Sequence, residues 1–382
     1  MKIGVVCYPT YGGSGVVASE LGIGMAKRGH EVHFITYKMP PRLSSFQKNL
    51  YFHEVSSVSY PLFEYSPYES ALASKLVDVA IYEDLDIIHV HYAIPHAMVA
   101  YMAREILKSK NKRIPFITTL HGTDITLVGS DPSFAPVVEF SINNSDGVTA
   151  VSKFLRQETL NAFDITNDIR VIYNFIDFTR FKKENKSHFK KAIAPDGEKI
   201  LVHISNFRKV KRVEDVVYIF QNVIDRLDVK MLMIGDGPER KSIEDLCRSL
   251  GLCEHIRFLG KQDAVEELLA VSDLFILPSE NESFGLAALE AMACEVPVIS
   301  SNIGGLPEVN LSGITGFTSN VGDIEDMSKN AIFILENEER HAQFSLNALQ
   351  HAKKFNIDNI IPVYEDYYLE VIEKIRFTAL KT

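Results

Sequence analysis

Two carboxylates, Glu282 and Glu290, bracket the stretch of this sequence with the most chemical promise. Glu282 opens Glu282-Ser283-Phe284-Gly285-Leu286-Ala287-Ala288-Leu289-Glu290, which follows an apolar run at 273–278 and a polar turn at 279–281. The run reads as a strand and 284–294 as a helix. Glu282 then stands just ahead of a helix N-terminus, with Glu290 about two turns inside the helix. The first-turn N–H groups lack intrahelical partners and lie at the positive end of the helix dipole, which suits an anion. Ala287, Ala288, Leu289, Ala291, Met292 and Ala293 surround Glu290, so this helix is expected to be buried on most faces. A carboxylate in such surroundings needs a partner, either a ligand hydroxyl or a neighbouring backbone group that it caps. A ligand joining phosphate to sugar hydroxyls would use both features, phosphate on the N–H groups and hydroxyls on the carboxylates.

The elements that must position these residues are legible as alternating strands and helices. Short apolar runs fall at 2–8, 31–37, 51–55, 86–92, 115–121, 147–152 and 169–173. After a polar segment at 182–198 the pattern restarts at 199–205, 230–235, 256–260, 274–278 and 296–301. Apolar strands separated by helix-length segments indicate parallel sheets covered on both faces. The fold class is therefore α/β, with two Rossmann-like, doubly wound parallel-sheet domains facing a ligand cleft at the carboxyl ends of their strands. The expected domains are 1–165 and 166–361, with 362–382 attached to the first. Apolar positions Ile361, Tyr364, Tyr368, Val371 and Ile375 make the last stretch a helix.

A length of 382 residues suits two ordinary domains. Fifty acidic against forty basic residues, net −10, argue against a nucleic-acid surface. The basic clusters at 108–113 and 182–191 read as solvated loops. Cys7, Cys247, Cys253 and Cys294 have neither C-x-x-C nor zinc spacing, the usage of a reducing compartment. Met1-Lys2 runs straight into a strand, and no apolar run reaches membrane-spanning length. The expectation is a cytoplasmic protein without stable membrane insertion. A homo-oligomer stays open.

Further candidates follow strand ends. Tyr11-Gly12-Gly13-Ser14-Gly15 leads from the first strand into a helix. Gly13-x-Gly15-x-x-Ala18, with Glu31 further on, fits a dinucleotide fingerprint, a sugar-nucleotide phosphate loop or a plain tight turn. His89, His91 and His96 crowd another strand end. The first two share a face, but no third metal ligand is evident, so they read as satisfied polar groups. Tyr92 is expected to point to the cleft. His121 and Gly122 end the next strand, and Asp124 either orients the His121 ring or caps the following helix. Arg208, Lys209, Lys211 and Arg212 follow the first strand of the second domain, suited to charge on a leaving group or forming only a wet loop. Gly235-Asp236-Gly237-Pro238-Glu239 reads as a turn into a helix, and Gly304-Gly305 as scaffolding.

The stretch from Glu282 to Glu290 resembles the E-x7-E motif of the retaining GT-B glycosyltransferases of the family 4 type. The resemblance covers nearly the whole chain and implies a C-terminal helix crossing back to the first domain. It also implies that Glu282 and the N–H groups of Ser283, Phe284, Gly285 and Leu286 hold the donor hexose, while Glu290 binds the ribose. Gly13, Arg208 and Lys211 would meet the pyrophosphate, Gly235 and the strand of Arg257 the nucleotide, and His121 the donor sugar. His121, Arg208, Lys211 and Glu282 form the implied catalytic set. Three stretches, 89–96, 118–126 and 203–212, are closer to a subgroup of bacillithiol biosynthesis that uses UDP-N-acetylglucosamine (UDP-GlcNAc) as donor and L-malate as acceptor, without metal or other cofactor. Ser14, Arg42, Tyr92, Thr123 and Lys153 are then acceptor candidates. Arg212 and Glu295 stand where that family often has glycine, and 38–42 departs from its commoner Pro-Phe-Arg. The alternatives are another acceptor such as an inositol phosphate, a non-catalytic sugar-nucleotide binder, and an NAD-type oxidoreductase. The last leaves Glu282, Glu290 and Arg208 without a task.

Overall fold

In the computed structural model, which describes residues 1–10, 12–43, 47–56, 65–184 and 186–379, the apolar runs form two parallel sheets. Tyr11 of the glycine loop, Asn185 of the second basic cluster and tail residues 380–382 lie outside the described residues. The first sheet contains β1 (Lys2–Val6), β2 (Glu31–Thr36), β3 (Leu50–Glu54), β4 (Ile87–His91), β5 (Phe116–Leu120), β6 (Gly147–Ala150) and β7 (Ile169–Val171), in the order β3-β2-β1-β4-β5-β6-β7. The second contains β8 (Lys199–Ile204), β9 (Val229–Ile234), β10 (Ile256–Gly260), β11 (Leu274–Leu277), β12 (Val298–Ser301) and β13 (Gly316–Ser319), in the order β10-β9-β8-β11-β12-β13. Central strands such as β4 and β5 are buried at every position, whereas edge strand β3 is half exposed. Burial on both faces is why the central strands read as unbroken apolar runs.

Helices seal the faces. In the first unit Leu72 and Leu76 of Tyr68–Tyr82 and Ala100 of Met98–Ser109 pack on Val6, Ile35, Ile88, Val90 and Phe116. In the second, Val216 and Phe220 of Val213–Ile224 and Ile334 of Ile324–Leu335 pack on Leu201, Met231, Ile276 and Ile299. β13 was not expected. It is a four-residue edge strand whose Gly316 comes so close to β12 that a Cβ would stand 1.8 Å from the Val298 carbonyl oxygen.

The chain divides into one unit of Met1–Asn174 with Ile357–Thr382 and another of Phe175–Asn356. The sequence placed the changeovers near 165 and 361. β7 pairs with β6, which keeps residues 169–171 in the first unit. The long helix Ile357–Ala379 belongs to that unit too. Its Tyr367 hydroxyl accepts the Val148 N–H of β6 at 2.9 Å, and Glu365 takes Arg28 and His30 at 2.8 and 2.7 Å. No helix among the described residues is long and apolar enough to cross a membrane.

Candidate active site

Each sheet has a switch point where the chain changes winding direction, between β1 and β4 in the first unit and between β8 and β11 in the second. Loops there diverge and leave a crevice at the strands' carboxyl ends.

In the second unit, the loop after β8 turns through Lys209–Lys211, and the loop after β11 runs into the helix Leu286–Ala293. The two loops are joined. The Glu280 N–H donates to the Val210 carbonyl at 2.9 Å, and the Lys211 ammonium donates to Glu282 Oε1 in a very short contact. Both side chains are mostly covered, 19% and 15% exposed, so the pair is worth more than a surface bridge and leaves a costly charge if either partner is removed. The Ser279 hydroxyl donates to the same carboxylate oxygen at 3.2 Å. Arg208 is exposed and has no ion pair among the described residues. Arg212 is bound bidentately by Asp215 at 2.6 and 3.2 Å. The cationic loop thus separates into an open guanidinium, an ammonium fixed to Glu282 and a structural arginine.

Glycines let these loops approach. The Glu282 carbonyl accepts the Gly305 N–H at 2.8 Å, and a Cβ on Gly304 would stand 1.9 Å from the same oxygen. The Gly304-Gly305 turn is therefore the floor under Glu282. Gly285 adopts φ 95° at the helix start beneath Leu306. Gly235, at φ 119°, crosses the Ser205 carbonyl so closely that a Cβ would sit 1.8 Å from it. Ser283 and Leu286 are half-buried, but the Phe284 side chain points into the core, edge-on to Phe355. Glu290 is half-buried in a helix whose Ala288, Leu289, Ala291, Met292 and Ala293 are buried, as expected. Arg257 stands apart from this group. It is the second residue of β10 and is exposed, donating to the Ala192 carbonyl at 3.4 Å. Arg212 (φ 47°) and Glu295 (φ 62°) both adopt the left-handed conformation, which explains why glycine is at home at either position.

In the first unit three acceptor candidates converge. The Ser14 hydroxyl donates to the Tyr92 oxygen at 2.8 Å, bridging the ends of β1 and β4, and the Thr123 hydroxyl lies near enough to Tyr92 to pull on its phenol. Burial raises the Tyr92 phenol, against the pull of those two hydroxyls. Tyr92 itself holds φ 85°, a strained conformation for a bulky side chain. Gly13 (φ 56°) faces open space, whereas Gly15 is there for packing, since a Cβ would come 2.5 Å from the Thr10 carbonyl. Arg42 lies elsewhere, paired with Glu20 at 2.5 Å. Lys153 is exposed at the start of Lys153–Ala162, directly after Ser152, whose oxygen caps that helix by accepting Leu155 N–H at 3.0 Å.

His121 sits beside Tyr92, ring centres 5.2 Å apart. Asp124 does not orient the His121 ring. Buried and raised in pKa by that burial, it accepts backbone N–H groups of Ala93, Gly122 and His121 at 2.9, 2.9 and 3.2 Å. The ring is held by His91, whose Nδ1 lies 2.8 Å from His121 Nε2. Beneath it, His89 bonds Tyr368 and Thr119, each at 2.7 Å, and stacks on His91. Burial holds His89 and His121 down to about 3, and His91 well below its ordinary value, so all three are neutral near pH 7. Tyr368 and Ser279 were the residues missed. Only the need of a buried tyrosine hydroxyl for a partner hinted at the first.

One histidine group elsewhere has metal-like spacing. His33, His53 and Glu83 place ligand atoms within 4.8 Å of one another. His33 Nδ1 and His53 Nε2 are 3.0 Å apart with ring centres at 5.2 Å, so the nitrogens face each other nearly in line, as in an N–H···N hydrogen bond. Ligands of one metal ion would aim their lone pairs at a common third point instead.

Two family models divide the chain between them, "Glycosyltransferase Family 4" over residues 11–180 and "Glycosyl transferases group 1" over residues 184–351. A relative from Bacillus anthracis, N-acetyl-alpha-D-glucosaminyl L-malate synthase, is 49% identical over 374 residues, 97% of each chain. The chain belongs to the family 4 glycosyltransferases. Another relative, a D-inositol 3-phosphate glycosyltransferase from Saccharomonospora viridis, is 25% identical and covers 97% of this chain and 92% of its own. Sucrose-phosphate synthase from Thermosynechococcus elongatus is similar in fold, with a TM-score of 0.82 at 18% identity over 98% of this chain and 99% of its own. This glycosyltransferase accordingly has the GT-B architecture of two doubly wound units.

Proposed function

We propose that this glycosyltransferase transfers N-acetylglucosamine from UDP-GlcNAc to the hydroxyl of L-malate with retention at the anomeric carbon, releasing UDP for bacillithiol biosynthesis in the cytoplasm. The observation that carries the reading is 49% identity along 97% of both chains with a relative named for L-malate. Glu282 and the N–H groups from Ser283 to Leu286 would hold the hexose, Glu290 the ribose, and Gly235 with the backbone of the Arg257 strand the nucleotide. Gly13, Arg208 and Lys211 would meet the diphosphate. The guanidinium of Arg208, without an ion pair among the described residues, and the mostly covered ammonium of Lys211 suit charge growing on a leaving group. As the C–O bond breaks, a phosphate oxygen takes the proton of the malate hydroxyl, and the acceptor oxygen bonds the same sugar face. No protein base and no metal are then required. Ser14, Tyr92 and Thr123 are assigned to the acceptor, with Arg42 and Lys153 as the cations for its carboxylates.

The inositol phosphate relative makes a phosphorylated acceptor the second reading. Both are tested by incubating the protein with UDP-GlcNAc and a panel of hydroxy acids and inositol phosphates, measuring UDP release with and without a chelator. Release with L-malate, unchanged by chelation, and an α-linked product by NMR are expected. Release with inositol phosphate alone would overturn the acceptor and leave the enzyme class standing.

A further inference from the structure

His91 is fully buried. Its Nδ1 faces His121 Nε2 at 2.8 Å, while its Nε2 has no hydrogen-bond partner among the described residues. The ring centres are 5.1 Å apart and the planes differ by 27°, so the two nitrogens meet nearly head-on and share one proton. With both rings neutral, that proton has two homes. If it sits on His121 Nε2, then His91 carries its own proton on Nε2, an N–H buried with nothing to receive it. If it sits on His91 Nδ1, the unpartnered His91 atom is only a bare lone pair. Orphaned buried N–H groups are rarer than under-used acceptors, and the second arrangement prevails. His121 must then carry its remaining proton on Nδ1, the nitrogen with no protein partner among the described residues. The support reaches further down, since His89 is fixed at both nitrogens by Tyr368 and Thr119 and stacks on His91 with ring centres 4.4 Å apart.

We infer that His91 is a positioning residue that locks His121 as the Nδ1–H tautomer, so His121 meets the substrate as a hydrogen-bond donor and selects an oxygen acceptor there. The inference rests on the placement of His121 at the sugar in the function proposed above. With its Nε2 lone pair taken by His91, His121 offers the substrate only an N–H, so a substrate position presenting only an N–H would be refused, whereas a hydroxyl or carbonyl oxygen is held.

Nitrogen-15 NMR on the full chain at pH 7, with labelled histidine, reads the tautomer directly. In the unmodified protein His121 should show a protonated Nδ1 and a bare Nε2. In His91→Phe, which cannot donate, His121 should shift toward the Nε2–H form that free imidazole prefers. kcat/KM should fall about tenfold, less than the roughly 10²–10³ expected for losing the donor itself. His91→Asn, whose amide can donate, should restore the Nδ1–H signature and part of the activity. An Nε2–H His121 in the unmodified protein overturns the lock without any variant having to fold. An unchanged tautomer in a folded His91→Phe overturns the role of His91. Failure of the underlying reading looks different, because full turnover in His121→Ala would remove His121 from the sugar while the NMR result stood.

Discussion

At the carboxyl ends of β8 and β11 an ammonium faces a carboxylate, and the exposed Arg208 on the same loop has no ion pair among the described residues. At the ends of β1, β4 and β5 hydroxyls meet a phenol and neutral imidazoles. The strand order is the same but for the seventh strand of the first sheet, and the chemistry is opposite. The second unit keeps its paired charges mostly covered but not sealed, where they still respond to an incoming anion. The first unit buries its titratable rings, and burial forces neutrality, so its centre orients by hydrogen-bond direction alone.

Acid should break this comparison most. His33, His53, His89, His91, His96 and His121 of the first unit all have folded pKa values below the ordinary 6.5, against His203 and His351 in the second. A lowered folded pKa means the unfolded chain takes the proton first. The stability is fully present above about pH 6.5 and lost as pH falls toward about 3, by up to ~1.4 kcal/mol per pH unit for each ring. Hydrogen exchange at pH 5 should show the first unit opening before the second, and equal loss in both would contradict the contrast.

Charge should matter more to turnover in the second unit. Lys211→Ala should lower UDP release about 10²–10³-fold, and it strands the mostly covered Glu282 without its cation. Near-native turnover in both Lys211→Ala and Arg208→Ala would show that neither cation meets the leaving group. Backbone approach comes next. Gly304→Ala adds a Cβ 1.9 Å from the Glu282 carbonyl at φ +66° and should cost at least about 2 kcal/mol in chemical unfolding. Gly12→Ala, with open space around it, should stay within about 0.5 kcal/mol. Comparable losses at the two glycines would deny the second unit its tighter floor. The smallest functional effect is expected at Glu290, where alanine should weaken UDP by about 1–3 kcal/mol in calorimetry. Unchanged affinity in a folded variant would remove the ribose from that glutamate.

What was legible in the sequence was local. Twelve of the strands announce themselves as short apolar runs, the central ones because both faces are buried, and the segment around Glu282 is visible because a strand, a turn and a helix start lie within one short stretch. β13 escaped as four residues, Gly316-Phe317-Thr318-Ser319, with neither a long apolar run nor alternation to mark it. Partners far apart in the chain were invisible. Lys211 reaches Glu282 across 71 residues and His89 reaches Tyr368 across 279, and composition says nothing about which distant groups meet. Asp124 shows the middle case. Its two candidate roles were readable, yet only the loop geometry shows that it serves backbone N–H groups and leaves the ring to His91.

The helix Ile357–Ala379 has a consequence for the order of synthesis. The first unit needs Tyr367 for the Val148 N–H and Tyr368 for His89, and both arrive after the entire second unit has been translated. At roughly 5–20 residues per second, the roughly 180 residues between Asn174 and Ile357 take on the order of 10–40 s. Through that interval the nascent first sheet waits with the Nδ1 of His89 and the Val148 N–H unmet, and the last strand of the second unit, β13, is complete before Tyr367 and Tyr368 are made.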